Sequence, residues 1–187
     1  DARAKSFIDK AHDASIHLGT LFRDLLSVTK IEDNRMEIMP RVFNFSELVQ
    51  AVTSEMEIIA KNKGLVLVTH IGVGVGKEHV VAPIYNVEAD PDRLREVITN
   101  LIDNAIKYSQ AGTITVTVST EGNSIVFAVK DQGIGIAPEE QKHLFQKFYR
   151  VNNSYTREIG GTGLGLYLAR SLIERFGGRI WVESQLG

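Results

Sequence analysis

Asn100, Asn104 and Lys107 stand at steps of four and three in a helical pattern that runs from Asp90 to about Tyr108, so all three share one stripe. Asparagine is a poor helix former. Two of them one turn apart carry a small cost that a bound ligand would justify. An amide oxygen is a suitable hard ligand for magnesium, which takes few protein oxygens beside phosphates and waters, and Lys107 could then meet a phosphate. An ordinary solvated face explains the same stripe, and the helix by itself leaves both explanations open.

Two glycine segments follow. Asp131-Gln132-Gly133-Ile134-Gly135-Ile136 comes directly after an apolar run ending at Val129. A carboxylate at a strand end can accept a hydrogen bond from an adenine amino group, and Gly133 and Gly135 would let the backbone pass close to the base. A loop that merely reverses the chain accounts for it equally well, and Pro138 occupies the place of the third glycine of a dinucleotide fingerprint. Gly160-Gly161-Thr162-Gly163-Leu164-Gly165-Leu166 opens a helix, where free backbone amides make a phosphate site. Close packing of that helix on a neighbour is the alternative. Phosphate binding is favoured because the preceding residues, 152–159, form a polar loop rather than a Rossmann strand. Gly72 to Lys77 imitates a phosphate loop, but its spacing is one residue short and Glu78 stands where a hydroxyl is required, so it reads as a flexible connection. His12 and His17 are five apart and face differently, and His70, His79 and His143 suit surface or edge positions, so no zinc site is expected.

The elements that must position these groups are written in the same 187 residues. Phe7, Ala11, Ala14, Leu18, Leu21, Leu25 and Val28 mark the heptad seam of a bundle helix, which one helix cannot bury alone. The pattern breaks between Glu32 and Pro40, where a linker is expected. Ser46 is read as opening a helix with Leu48, Val52, Met56 and Ile59 on one face, stopped by Gly64. Leu65 to Ile71 and Tyr85 to Ala89 read as strands, and Asp90-Pro91 as the start of the asparagine helix, with Leu94, Val97, Leu101 and Ala105 facing the core. Ile114 to Val118 and Ile125 to Val129 form a hairpin about Glu121-Gly122-Asn123. A helix from Gly163 to Phe176 and a last strand from Arg179 to Glu183 complete an α+β sandwich, a mixed sheet with helices on one face.

Composition narrows the function classes. A formal charge of -2 and a pI near 6.2 give no field drawing the chain as a whole onto nucleic acid or an acidic membrane. Without cysteine there is neither a disulfide framework nor a thiolate metal site, which suits a reducing compartment. No apolar run approaches the ~20 residues of a membrane span, and no signal peptide opens the chain.

Taken in order, the asparagine helix, the Asp-x-Gly-x-Gly loop, Leu144-Phe145-Gln146-Lys147-Phe148-Tyr149-Arg150 and the Gly-Thr-Gly-Leu-Gly-Leu turn resemble the catalytic domain of sensor histidine kinases. Residues 1–38 resemble the second helix of that family's dimerisation and phosphotransfer domain, and residues 39–187 its ATP-binding domain. The resemblance implies the Bergerat-type ATP fold, shared with gyrase, mismatch-repair and chaperone ATPases, with a lid over about 135–161. It implies ATP and Mg2+ as ligands. By position, Asn104 resembles the magnesium ligand, Asn100 the first asparagine of the N box, Lys107 a phosphate contact and Tyr108 a pocket wall. Asp131 resembles the reader of the adenine amine, with Gly133 and Gly135 as its partners. Gly161, Thr162, Gly163, Leu164, Gly165 and Leu166 form the turn around the phosphates. Phe145 and Phe148 resemble the aromatic box that anchors the lid, a role compatible with core packing, and Arg150 a γ-phosphate contact.

The implied activity is transfer of the γ-phosphoryl group to a histidine, for relay to an aspartate of a response regulator. No histidine followed by an acidic residue and then a proline occurs in the chain, since His12-Asp13 lacks the proline and lies on the helix resembling the second one. The acceptor is therefore expected on a missing helix, the chain alone is not expected to autophosphorylate, and the final strand is expected to be truncated. The resemblance further implies a homodimer through the bundle, a receiver domain as partner, no nucleic acid, and a cytoplasmic location with membrane contact only through other regions. A gyrase- or chaperone-type hydrolase is the first rival, but those relatives carry a glutamate where Asn100 stands, and an amide cannot serve as the base. A non-catalytic, nucleotide-dependent interaction module is the second.

Overall fold

The computed structural model describes residues 2–72, 83–151 and 159–186. The connection expected beyond Gly72, with His79, and the lid residues 152–158 lie outside the described residues, as does the side chain of His17.

The seam helix α1 spans Ala2–Glu32. Most of its apolar face is open, with Phe7 73%, Ile8 68%, Leu18 67% and Phe22 61% exposed, whereas Val28 near its end is buried. The chain then turns through Asn34 at φ 53 and places Met36 in a small cluster with Val97, Ala169 and Leu172. What reads in sequence as a linker is thus partly a packing element.

A short strand β1, Arg41–Asn44, follows and pairs antiparallel with β3, Asn86–Ala89, in the register Arg41↔Ala89 and Asn44↔Asn86. Helix α2, Phe45–Asn62, is capped by Asn44 and not by Ser46. The Asn44 side chain accepts from Ser46 N at 3.1 Å and donates to Glu47 at 3.0 Å. Ser46 is buried one step inside, and its hydroxyl donates to the Pro83 carbonyl instead, at 2.5 Å. Gly64 stops the helix at φ 78, a conformation that costs glycine nothing.

Strand β2, Val66–Ile71, runs parallel to β4, Thr113–Glu121, which pairs antiparallel with β5, Ser124–Lys130, closing the expected hairpin at Glu121↔Ser124. Ile114, Val116 and Val118 of β4 are buried against Val49, Val52, Met56, Ile98 and Ile102, so α2 and α3 cover the sheet through one continuous core.

Helix α3, Pro91–Tyr108, begins as its sequence signals. Asp90 caps it through bonds from Asp92 N and Arg93 N at 3.0 and 3.2 Å, and its other oxygen takes Met39 N at 2.9 Å. Burial would lift this carboxyl, but the N–H groups of Met39, Arg93 and Asp92 and the Arg93 charge outweigh it and hold its pKa below the ordinary 3.8. At the other end Lys63 donates to the carbonyls of Ile106 and Lys107 at 2.6 and 2.8 Å, placing a cation on the helix C-terminus.

Beyond the sheet lie the one-turn helix α4, Pro138–Gln141, and helix α5, Gly165–Arg175. The strand expected at Arg179 to Glu183 does not form a ladder. Residues 179–184 keep the alternation of a strand, with Ile180, Val182 and Ser184 half-buried and Trp181 and Glu183 exposed. Their bonds go elsewhere: Ser184 accepts from Ile136 N and Gln141, so the segment braces a loop through side chains rather than extending a sheet.

Candidate functional site

Helix α3 is the floor of the site, and the structure brings both glycine segments onto it. Besides Leu94 and Ala105, the residues Ile98, Ile102 and Ile106 are buried toward the sheet, while Val97 and Leu101 join the second cluster beneath α5. The helix is therefore covered on two sides. Asn100 is not on a solvated face, because a Cβ on Gly165 would stand 2.3 Å from its Oδ1, so the α5 start rests directly on this amide. Its Nδ2 is buried with no hydrogen-bond partner among the described residues. Such a group is costly unless something fills its valence.

One end of the floor meets the first glycine segment. Gly133 N donates to Asp131 Oδ1 at 2.8 Å, and a Cβ on Gly133 would fall 2.6 Å from the Tyr108 carbonyl, so the loop is pressed against the C-terminus of α3. Gly135 adopts φ 66, and a Cβ there would lie 1.8 Å from the Gln185 carbonyl. Ile136 N donates to Ser184 Oγ at 3.0 Å, and Gln141 bridges Ile136 O and Ser184 O at 2.8 and 2.9 Å. Asp131 itself is exposed, and its Oδ2 makes no hydrogen bond among the described residues. A small cavity lined by Gln110, Gln132, Gly133 and Ile134 flanks this loop. It includes none of the asparagines, so it flanks the Asp131 loop and not the asparagine stripe.

The other end belongs to the second glycine segment. Gly163, at φ 71, lies against the backbone of Phe148, where a Cβ would be 2.8 Å from the carbonyl carbon. Phe148 takes φ 61 itself and is 59% exposed, so simple core packing is not its role, while Phe145 is half-buried. Arg150 donates to the carbonyl of Gly161 at 3.2 Å and to that of Ile159. Thr162 Oγ1 accepts from Leu164 N at 3.2 Å and donates to Asp24 of α1 at 2.7 Å. Leu164 is fully buried, which fixes the turn, and Leu166 is half-buried in the first turn of α5. Asn100 and Tyr108, which receive the two glycine segments, are eight residues apart on α3, roughly 12 Å along its axis. A small elongated ligand fits between two such contacts.

Lys107 on α3 and Lys147 beside α5 are both engaged. Lys107 Nζ lies 2.5 Å from Asp103 Oδ2, one turn back on α3. Lys147 pairs with Glu32 at the end of α1 and sits 5.1 Å from the centre of the Tyr167 ring. The hydrogen bond to Glu32 holds the Lys147 ammonium above the usual lysine range. Tyr149, 5.3 Å from the His143 ring, donates its hydroxyl to Glu140, and that bond pushes the phenol up. Sequence reading missed Asp24, Glu32, Asp103, Gln141 and Ser184. Asp103 stood one turn before Lys107 and was visible as an i,i+4 pair; the others are long-range partners without a local signal.

Residues 89–187 match the family described as histidine kinase-, DNA gyrase B- and HSP90-like ATPase. The circadian input-output histidine kinase CikA of Synechococcus elongatus is 35% identical over 99% of this chain. The chain spans 24% of that protein's length. Full-length ShkA, solved in complex with AMPPNP, superposes with a TM-score of 0.79 at 26% identity, over 98% of this chain and 36% of that one. Histidine kinase ThkA in complex with the response regulator TrrA shares the fold, with a TM-score of 0.63 at 24% identity over 90% of this chain and 45% of that one. The match over more than half of the chain, on the same α3, Asp131 loop and Gly161–Gly165 turn that build the site, places this chain in the histidine kinase-, DNA gyrase B- and HSP90-like ATPase family.

Proposed function

We propose that this chain is the ATP-binding catalytic region of a sensor histidine kinase, joined through α1 to a dimerisation and phosphotransfer unit. The carrying observation is the extent of the likeness. A gyrase or chaperone ATPase would be matched by the ATPase fold alone, whereas the likeness to a protein named histidine kinase runs through α1 as well, over 99% of the chain. Asn100 supports the same choice, because its amide lies against Gly165 where a hydrolase needs a carboxylate base.

In this reading Asp131 Oδ2 accepts from the adenine amine, and Gly133 and Gly135 keep the loop flat against the base. The amides from Gly161 to Gly165 take the phosphates, with Lys107 and Arg150 as the cations that can swing toward them. Asn104 offers a hard cation an amide oxygen, and one turn away on the same helix the orphaned Asn100 Nδ2 is a donor that a phosphate oxygen or a metal-bound water would satisfy. When bound, Mg2+ would neutralise phosphate charge and fix the orientation of the chain's terminal group. A ring nitrogen of the acceptor histidine forms the new bond to the γ-phosphorus as the bond to the bridging oxygen breaks, and ADP leaves with that electron pair. The protein's part is positioning and charge stabilisation.

The open apolar surface of α1, the seam residues Phe7 and Leu18 with Ile8 and Phe22 beside them, supports dimerisation, since these side chains could not stay in water at low cost. The complex of ThkA with a response regulator is the precedent for a receiver domain as the next acceptor. No helix among the described residues is long and apolar enough to cross a membrane, and we place this region in the cytoplasm. The test is calorimetry with magnesium and ATP: Asn104→Ala should abolish magnesium-dependent binding, and an unchanged affinity would sink the assignment. With labelled ATP and a separately made phosphoacceptor helix, the intact chain should label the helix; hydrolysis without labelling would favour the ATPase rival.

A further inference from the structure

We propose that α1 carries a built-in brake on triphosphate binding, made of two carboxylates that occupy the phosphate end of the cleft from outside. This rests on the ATP reading of that site. Asp24 and Glu32 are eight residues apart, roughly 12 Å along one side of α1. Each contacts a different part of the phosphate end.

Asp24 accepts the Thr162 hydroxyl at 2.7 Å, and the same hydroxyl accepts Leu164 N at 3.2 Å. Amide, hydroxyl and carboxylate form one chain of bonds. Leu164 N is among the amides at the start of α5 that a phosphate would use, so the turn already has an anion one hydroxyl away. Glu32 acts on the other side by pairing with Lys147, and its Oε1 also lies 3.5 Å from the Tyr167 hydroxyl. The incoming triphosphate therefore meets a carboxylate at the turn and a lysine already neutralised. Asp24 and Thr162 are both half-buried, so the repulsion is only partly screened by water. Neither carboxylate reaches the Asp131 end. The brake acts on phosphate charge and leaves base recognition alone.

This device makes ATP affinity a function of where α1 sits. A displacement of α1 that parts Asp24 from Thr162 and Glu32 from Lys147 frees the turn and the lysine together, since both carboxylates ride on one helix.

Asp24→Asn keeps the hydrogen bond to Thr162 and removes the charge, and Glu32→Gln does the same for Lys147. Calorimetric titration of the chain, each variant and the double variant with ATP, ADP and adenosine tests the proposal. One charge at this range changes ATP affinity by about five- to tenfold, so each variant should tighten ATP by that factor. The gain should be smaller for ADP and absent for adenosine, and the double variant should show the product of the two gains. Unchanged or weaker ATP binding by Asp24→Asn would overturn the brake. Equal gains for adenosine would overturn it too, because they would mean a loosened structure. If no form of the chain binds ATP, the ATP reading itself falls, and the brake with it.

Discussion

At the Asp131 end of the cleft, backbone is held by backbone: Gly133 lies under the Tyr108 carbonyl, Gly135 against that of Gln185, and Gly133 N fixes the carboxylate. At the Gly161–Gly165 end, side chains are held by side chains: Lys147 by Glu32 and the Thr162 hydroxyl by Asp24, with Lys107 on the α3 floor held by Asp103. In the proposed reading the base end is thus in its working form before any ligand arrives, whereas the phosphate end is occupied by the protein's own groups. Preorganisation at one end gives a constant affinity for the base. Self-occupation at the other leaves the phosphate contribution adjustable.

The largest expected effect lies at the preformed end. Asp131→Ala removes both the acceptor for the adenine amine and the bond to Gly133 N, and a hydrogen bond to a charged group is worth enough to weaken ATP about 100-fold, ~2.7 kcal/mol. ATP, ADP and adenosine should lose alike in calorimetry. A loss confined to ATP would mean that the two ends are not separable in this way.

Next in size is Gly163→Ala, which tests whether backbone fit matters at the phosphate end also. A Cβ there meets Phe148 backbone at φ 71, where alanine is disfavoured, and the combined cost is about 2 kcal/mol. The thermal midpoint should fall by about 5 °C. Gly160→Ala is the control, since nothing lies within 4 Å of its Cβ position, and it should leave the midpoint in place. Equal shifts for the two would remove the packing role assigned to Gly163.

The same division explains what could be read from the sequence. The α3 stripe, the hairpin and both glycine segments are local patterns, set by periods of 3.6 and 2 and by glycine spacing. Of the two explanations left open at the second segment, close packing is met at Gly163 and Gly165, which Phe148 and Asn100 approach, and phosphate binding by the turn's amides belongs to the proposed function. Asp24 with Thr162 and Glu32 with Lys147 are 138 and 115 residues apart, and no period links them. Strand β1 escaped notice because four residues alternate too briefly to stand out, and its partner β3 is as short. Ser46 and Asn44 are both good caps, and only the burial of Ser46 under Pro83 decides between them. Ile180 and Val182 alternate like a strand, but a ladder depends on a neighbour that the local pattern does not specify.

The smallest effect gives the finest test of the comparison, because it stays within α3. Asp103 and Lys107 form an i,i+4 pair at 2.5 Å with both side chains partly exposed, a contact worth only about 0.5 kcal/mol to the helix. In the proposed reading its larger consequence is to hold the one lysine of the stripe away from a phosphate. Asp103→Asn should therefore leave the thermal midpoint nearly unchanged while tightening ATP about threefold, ~0.7 kcal/mol, with no gain for adenosine. Added salt should shrink the difference, since both groups lie near the surface. Were Asp103→Asn to weaken ATP, the carboxylate would be orienting Lys107 toward the ligand, and self-occupation would then belong to α1 alone rather than to the whole phosphate end.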